Sequence, residues 1–588
     1  MERKDIDLKY KWDDKRLFEN LSDCKSEFIN IKRLADMVMS CKDKLNNKKG
    51  LLEYYLNSRK LSKLSSKVGV YLFLRQSVEG DNAEIIEVQN MYENLSLEIS
   101  QKLSCFNSLL SALSNDYLND VVSDVQFEDF SRSILNIIRN KPHVLSEKEE
   151  KLLVGAGSYC DNSEIFDTLE TSELKFEDIN CNGTQFKLDP NNYSKYIFSD
   201  DRDVRMQAYD NLLKGYMSVN KTLAVNYLAS LKADRFFAVS RNFKDVFSAN
   251  MFEDEIDESI YSTLTDNIDN NLPIIFKYFK VKQKMLGLNS LKIYDIYGTI
   301  KSKNDFKPDI ETSIEIVKNA MKPLGEEYIK LINKAQVERW IDFLPCFGKN
   351  SGGFCISTGT AVPFILVNHQ ENYEEISTLA HELGHAMHAY LAETTQCYEK
   401  SEQEIFTAEI ASTVNEVLLS LYLINKETDK TEKLILIDNL IFKFYATVIR
   451  QTMFSEFEKT ICEKLENNEP LSYDVFNTIY GELLTKYFGS KDMQTEYSKY
   501  EWSRISHFYS SFYVFKYATG FISAIIIASK LLKDNSFASN YLQFLKSGNS
   551  NDALSLLKNI GIDLSCSQAY DEAFEFIINL INEMEQLI

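Results

Sequence analysis

The sequence has little with which to break a helix: 8 prolines and 20 glycines in 588 residues. What remains reads as long segments with apolar residues three and four apart, separated by short polar breaks, so the fold is predicted to be mainly helical. Positive charge is also short. With 87 acidic against 66 basic side chains the formal charge is −21, a field that repels phosphate backbones and anionic lipid and argues against nucleic acid or membrane partners. No apolar run approaches the ~20 residues a membrane helix needs; the longest, Gly520 to Ser529, is about ten. The opening Met1-Glu-Arg-Lys-Asp-Ile-Asp-Leu-Lys-Tyr-Lys-Trp12 is densely charged and lacks the apolar core of a secretory signal. The ten cysteines form no CxxC pair, which excludes a Cys-based zinc site and any evident disulfide framework, and predicts reduced thiols in the cytoplasm.

Residues 15–150 are predicted as consecutive antiparallel helices, broken at Lys141-Pro-His-Val-Leu-Ser146. Strands are predicted at Gln185–Leu188, at Gly353–Ser357 and at Pro363–Asn368. A boundary near 190 divides a helical amino-terminal region, 1–190, from a larger region, 191–588.

Histidine is the scarcest informative residue, with 6 in the chain, and four of these, His369, His381, His385 and His388, fall within twenty positions. His381-Glu-Leu-Gly-His385 is an HExxH match, rare by chance at this histidine content. On a helix starting after Asn372, at ~100° per residue, His385 lies only ~40° round from His381. Ile376, Leu379, Leu383, Ala386, Met387 and Tyr390 gather on the opposite side. Such a pair presets two coordination vectors for one zinc ion, and Glu382, at the rim of the same face, is placed to act as general base toward a metal-activated water. Gly384 costs the helix ~1 kcal/mol relative to Ala, which is understandable if another backbone or a substrate must come close there.

A catalytic zinc needs a third protein ligand and an open position. The metzincin pattern is excluded, because Leu391 stands where it requires histidine. His388, at i+7 on the same face, is one candidate. A second helix is the better source: Phe406–Tyr422 carries Ile410, Val414, Val417, Leu418 and Leu421 on one face and Glu409, Thr413, Glu416 and Ser420 opposite. Phasing does not choose between Glu409 and Glu416.

Thr378-Leu-Ala-His-Glu-Leu-Gly-His-Ala-Met-His388 and Ala408-Glu-Ile-Ala-Ser-Thr-Val-Asn-Glu416 resemble oligoendopeptidase F, within the thimet oligopeptidase group of zinc metallopeptidases. Tyr10-Lys-Trp-Asp13, Gly348-Lys-Asn-Ser-Gly-Gly-Phe354 and Leu556-Leu-Lys-Asn-Ile-Gly-Ile-Asp563 extend the resemblance over nearly the whole chain. It implies Glu409 as third ligand of one zinc per chain, which leaves His388 and Glu416 as residues expected to support the ligands from behind. It also implies His507, with Tyr513 or Tyr517 or both, as donors to the oxyanion, although Ser506 replaces an expected proline and Phe515-Lys516 a more usual Tyr-Gln. The implied architecture is an elongated multi-helix body enclosing a deep substrate channel, with a small β-sheet beside the HExxH helix. Gly353, Phe354 and Cys355 begin the strand that would pair with an extended peptide.

The activity so implied is endopeptidase cleavage of short peptides by a cytoplasmic enzyme, for which a monomer is favoured. Two alternatives accompany it: a dipeptidyl carboxypeptidase-like exopeptidase using the same site, and a non-catalytic helical binding protein.

Overall fold

The computed structural model describes residues 2–157, 160, 162–181, 183–302 and 306–588. The chain forms two compact units, each assembled from three separated segments. The first comprises Met1–Glu150, Phe306–Leu419 and Lys530–Gly561; the second comprises Lys151–Asp305, Ser420–Ser529 and Ile562–Ile588.

The first unit opens with three long helices, Leu21–Met39, Lys48–Val78 and Ala83–Leu103. Asparagine starts all three: the side chains of Asn20, Asn47 and Asn82 accept backbone N–H bonds from Asp23, Gly50 and Glu84. Each such cap is worth about 1 kcal/mol over alanine, because it satisfies an amide that has no partner inside the helix. The predicted break is present as a 3-10 turn over Lys141–His143. Trp12, Leu17 and Phe18 from the amino-terminal segment join Val68, Tyr71 and Leu72 in a core that continues into Phe364 and Leu366.

Those last two residues belong to a three-stranded sheet of β3 (Ile341–Asp342), β4 (Phe354–Ser357) and β5 (Pro363–Leu366). A separate hairpin in the second unit supplies β1 (Ile179–Cys181) and β2 (Thr184–Phe186). In the larger sheet the order is β3-β5-β4, with β5 parallel to β3 and antiparallel to β4. Central β5 is wholly buried, whereas β4 lies at the edge and is half-buried throughout. The predicted strands therefore form, and the two-residue β3 is an addition that its length concealed.

Among its described residues the regular structure of the second unit is helical apart from its hairpin, and the unit buries charge as well as carbon. Lys282 and Asp438 pair at 2.5 Å with the Tyr278 hydroxyl donating to the same carboxylate, and Arg202 and Arg205 both reach the buried Asp295. Pairing of this kind is what makes a buried charge tolerable. One expectation needs correcting. The helix Phe515–Lys533 runs well past the ten-residue apolar stretch and, by length and composition, is sufficient to cross a membrane; 72% of its most apolar window is buried in the protein. Its apolar surface serves the core.

Candidate metal centre

The HExxH segment lies in the helix Tyr373–Thr395, started by Asn372, whose side-chain oxygen accepts the Glu375 amide at 3.0 Å. Glu374 and Glu375 in its first turn suit the positive end of the helix dipole. Ile376, Leu379, Leu383, Ala386 and Met387 are buried, while the His381 and His385 side chains keep 26% and 20% of their exposure. One stripe anchors the helix and the other presents two imidazoles.

A second helix, Ile405–Lys426, crosses the first where Gly384 lies. A Cβ on Gly384 would stand 2.5 Å from Ser412 Cα and 2.7 Å from the Ala411 carbonyl oxygen, so the backbones meet where only glycine leaves room. Asn415 fastens the crossing: its amide donates to the Ala380 carbonyl at 2.9 Å and its oxygen accepts from the Tyr328 hydroxyl at 3.0 Å. A buried amide on an otherwise apolar face was the sequence signal for this contact, and the periodicity reading passed over it.

The crossing carries Glu409 to the histidine pair. Glu409 Oε2 lies 3.7 Å from His381 Nε2 and 3.9 Å from His385 Nε2, and the two Nε2 atoms are 3.1 Å apart. Three donors held about 2.0–2.1 Å from one zinc at tetrahedral angles stand about 3.3–3.4 Å from each other, so the set fits a small divalent ion. Ring orientation agrees. His381 Nδ1 donates to Glu416 Oε1 at 2.5 Å, and Ser377 Oγ donates to the other Glu416 oxygen at 3.3 Å. A neutral His381 that spends its one N–H on Glu416 turns a bare Nε2 toward Glu409. His385 is hydrogen-bonded to the Ala408 backbone, and burial, reinforced by His381 and His388, holds it down to about 3, so it is neutral and able to ligate.

Glu382 is buried beside the pair, and burial pushes its carboxyl up to about 7, with His381 opposing and Glu409 adding. A Cβ on Gly353 would come within 3.2 Å of Glu382 Oε1 and 3.0 Å of Thr378 Cγ2, so the residue preceding β4 lies directly against this carboxylate. Cys355 faces the same side, where burial first and then Glu382 and Glu393 push its thiol well up. Phe354 turns the other way, its ring 5.0 Å from Phe73 and 6.2 Å from Trp12. The three predicted strand residues thus divide between the two faces of β4, as strand alternation requires.

His388 stands apart from the donor set. It is buried against the Phe544 ring at 6.1 Å, and burial pushes it down to about 4. Asp129, Cys397 and Glu399 form another group with metal-compatible spacing among the described residues. There Arg59 bonds Glu399 at 2.6 Å and Asp129 at 2.8 Å, which supplies the positive charge a cation would otherwise bring.

His507, Tyr513 and Tyr517 belong to the second unit, and the structure groups them. The exposed His507 stacks on Tyr513 at 6.0 Å and meets the edge of Tyr517 at 5.9 Å, and the Tyr517 hydroxyl donates to that of Tyr513 at 3.4 Å.

Comparison with known proteins places these residues in context. Residues 196–576 match Peptidase family M3, and residues 110–176 match Oligopeptidase F. The chain is 30% identical to Group B oligopeptidase PepB of Streptococcus agalactiae, over 100% of this chain and 98% of that protein. It is 29% identical to oligopeptidase PepF of Bacillus subtilis, over 100% and 88% respectively. Among solved structures, a putative peptidase from Chlamydophila abortus superimposes with TM-score 0.92 at 28% identity, covering 100% of both chains. Oligoendopeptidase-F from Enterococcus faecium gives 0.74 at 28% identity, covering 96% of this chain and 98% of its own.

Proposed function

This chain belongs to peptidase family M3 and is a metallo-oligopeptidase, and from that premise we propose a zinc endopeptidase that cuts internal bonds of short peptides at His381, His385, Glu409 and Glu382. The observation that carries the reading is the approach of Glu409, from a separate helix, to the two Nε2 atoms at 3.7 and 3.9 Å. His381, His385 and Glu409 would hold one zinc per chain, which when bound supplies Lewis acidity to the scissile carbonyl and makes water a nucleophile near neutral pH.

The remaining steps belong to the protein. Glu382 accepts the proton of the attacking water and delivers it to the departing amine, a role supported by its burial beside the two imidazoles. Glu416 keeps His381 in the tautomer with its Nε2 bare. The free edge of β4 pairs with extended substrate backbone, an arrangement supported by the contact of Gly353 with Glu382 and one that reads side chains weakly. His507, with Tyr513 or Tyr517 or both, donates to the oxyanion, a role supported by their family resemblance and by the grouping of the three rings.

A cytoplasmic location is part of this proposal and is supported by ten cysteines none of which is bonded to another. The division of the sequence into 1–190 and 191–588 is likewise proposed, supported by the gap between the matched stretches ending at 176 and beginning at 196.

Three measurements on the purified chain test the reading together: bound zinc, cleavage of a quenched peptide with and without chelator, and product masses from a medium-length peptide. Internal cuts that vanish on chelation and in Glu382→Gln support it. Stepwise loss of dipeptides from the carboxyl terminus would convert it to the exopeptidase alternative, and wild-type cleavage by Glu382→Gln would remove the general base.

A further inference from the structure

The turn that carries His507 and Tyr513 is held from beneath by a group to which the reaction assigns no role. Between a 3-10 turn over Ser506–Tyr509 and the helix beginning at Phe515, the chain passes through Phe512 at φ 55°, in the left-handed region that a bulky residue avoids. The Phe512 ring is fully buried and packs on Phe247 at 5.0 Å, and Phe508 is buried in an aromatic cluster with Tyr227 and Phe457. These two rings peg the turn inward while His507 and Tyr513 face out. Such a conformation persists only where its surroundings enforce it.

Part of the enforcement comes from Glu458 on the helix Arg450–Glu466. This side chain is 1% exposed, and its Oε1 accepts the Phe512 backbone N–H at 3.1 Å. Its Oε2 is buried and has no hydrogen-bond partner among the described residues. Leaving a carboxyl oxygen so is expensive, which makes a purely stabilising purpose a poor account of the residue. Burial pushes this carboxyl well above the usual range, with Asp234 adding to the effect. Asp234 fastens the adjoining residue, accepting from Ser511 Oγ at 2.6 Å. Two carboxyls, the buried Glu458 and the half-buried Asp234, thus grip consecutive residues of the turn, immediately before Tyr513.

We propose that Glu458 is a positioning residue for peptide hydrolysis: by accepting the Phe512 amide it fixes the left-handed turn and so aims the Tyr513 hydroxyl and the His507 ring stacked on it. This rests on the oxyanion reading of Tyr513.

The test uses the full-length, zinc-loaded chain. Glu458→Leu is expected to lower kcat at least tenfold with KM within about twofold and zinc content unchanged, because alignment matters most in the transition state. Glu458→Gln, which keeps an acceptor oxygen, recovers most of the loss. A phosphinic peptide mimicking the tetrahedral state binds Glu458→Leu more weakly in proportion to kcat, whereas a product peptide binds as before. Combining Glu458→Leu with Tyr513→Phe costs little beyond Tyr513→Phe alone, since both act through one hydroxyl. Should Glu458→Leu fail to fold, Glu458→Asp withdraws the acceptor by one methylene and gives the same direction of change. Wild-type kcat in Glu458→Leu or Glu458→Asp, losses additive with Tyr513→Phe, or a Gln variant as slow as Leu overturns the proposal. An unaffected Tyr513→Phe removes the oxyanion reading itself, and the proposal with it; a slowed Tyr513→Phe beside an unaffected Glu458→Leu removes the proposal alone.

Discussion

Glu416 Oε1 accepts the Nδ1 proton of His381 at 2.5 Å, from a position one helix away. The bond fixes both the tautomer and the rotation of the ring, and so determines where Nε2 points before any ion arrives. Replacing Glu416 by Ala should therefore weaken zinc affinity by about 10–100-fold, the usual cost of losing such a partner. Chelator competition measures this directly, and excess zinc should restore most of the activity. An affinity equal to wild type would mean that packing alone orients His381.

Gly384 offers a test in which the sign is informative. In an ordinary helix Gly→Ala stabilises by up to ~1 kcal/mol. Here the new methyl would sit 2.5 Å from Ser412 Cα, against backbone that cannot swing aside. Overpacking of this kind costs about 1–3 kcal/mol. Gly384→Ala should accordingly lower the thermal unfolding temperature and reduce zinc binding, because the same displacement draws Glu409 off the pair. An unfolding temperature that rose would refute the close crossing.

The helix with its histidines was legible because three local signals agreed: the Asn372 cap, the apolar stripe and the i, i+4 pair. The choice between Glu409 and Glu416 was not legible, for a geometric reason. Seven residues bring a helix nearly back to the same azimuth, so both carboxylates face the motif helix, and the structure uses both, Glu409 toward Nε2 of His381 and Glu416 at Nδ1. Periodicity ranks faces, and it has no access to which ring nitrogen a carboxylate will meet. The alternation of chain segments between two units rests on contacts far apart in sequence, which a linear reading does not register. Strand β3 escaped because two residues carry no period, and the turn at Phe512 because a left-handed phenylalanine has no signature in sequence.

Gly353 separates catalysis from metal binding. It is exposed and its backbone tolerates alanine, yet a methyl there would press on Thr378 Cγ2 at 3.0 Å and Glu382 Oε1 at 3.2 Å. Glu382 is the softer neighbour and should yield. A general base displaced by even a fraction of an ångström loses alignment with the water it serves, so Gly353→Ala is expected to reduce kcat by about tenfold or more. Zinc content and unfolding temperature should stay near wild type. Lost zinc would instead show that the strand supports the ligands.

His388 predicts how the protein responds to acid. Its ring is 2% exposed, and burial lowers it to about 4, against about 6.5 in an unfolded chain. The unfolded state therefore binds this proton from about pH 6.5 downward, while the folded state resists it until about 4. Across that window the unfolded chain holds more protons, so stability falls as pH falls, by up to about 1.4 kcal/mol per unit and about 3 kcal/mol in all. Above pH 6.5 both states are neutral at this position and the contribution is complete. His388→Leu removes the ionisation and keeps an apolar contact for Phe544. Apart from His385, which in the variant loses only the repulsion of His388 that adds to its burial, the titrating groups are the same in both proteins, so the difference in unfolding temperature between wild type and variant reports chiefly this one ring. That difference should shift steadily in favour of the variant from pH 6.5 to 4.5 and be flat from pH 7 to 8. A difference that did not change with pH would place His388 in a wetter environment than its contact with Phe544 implies.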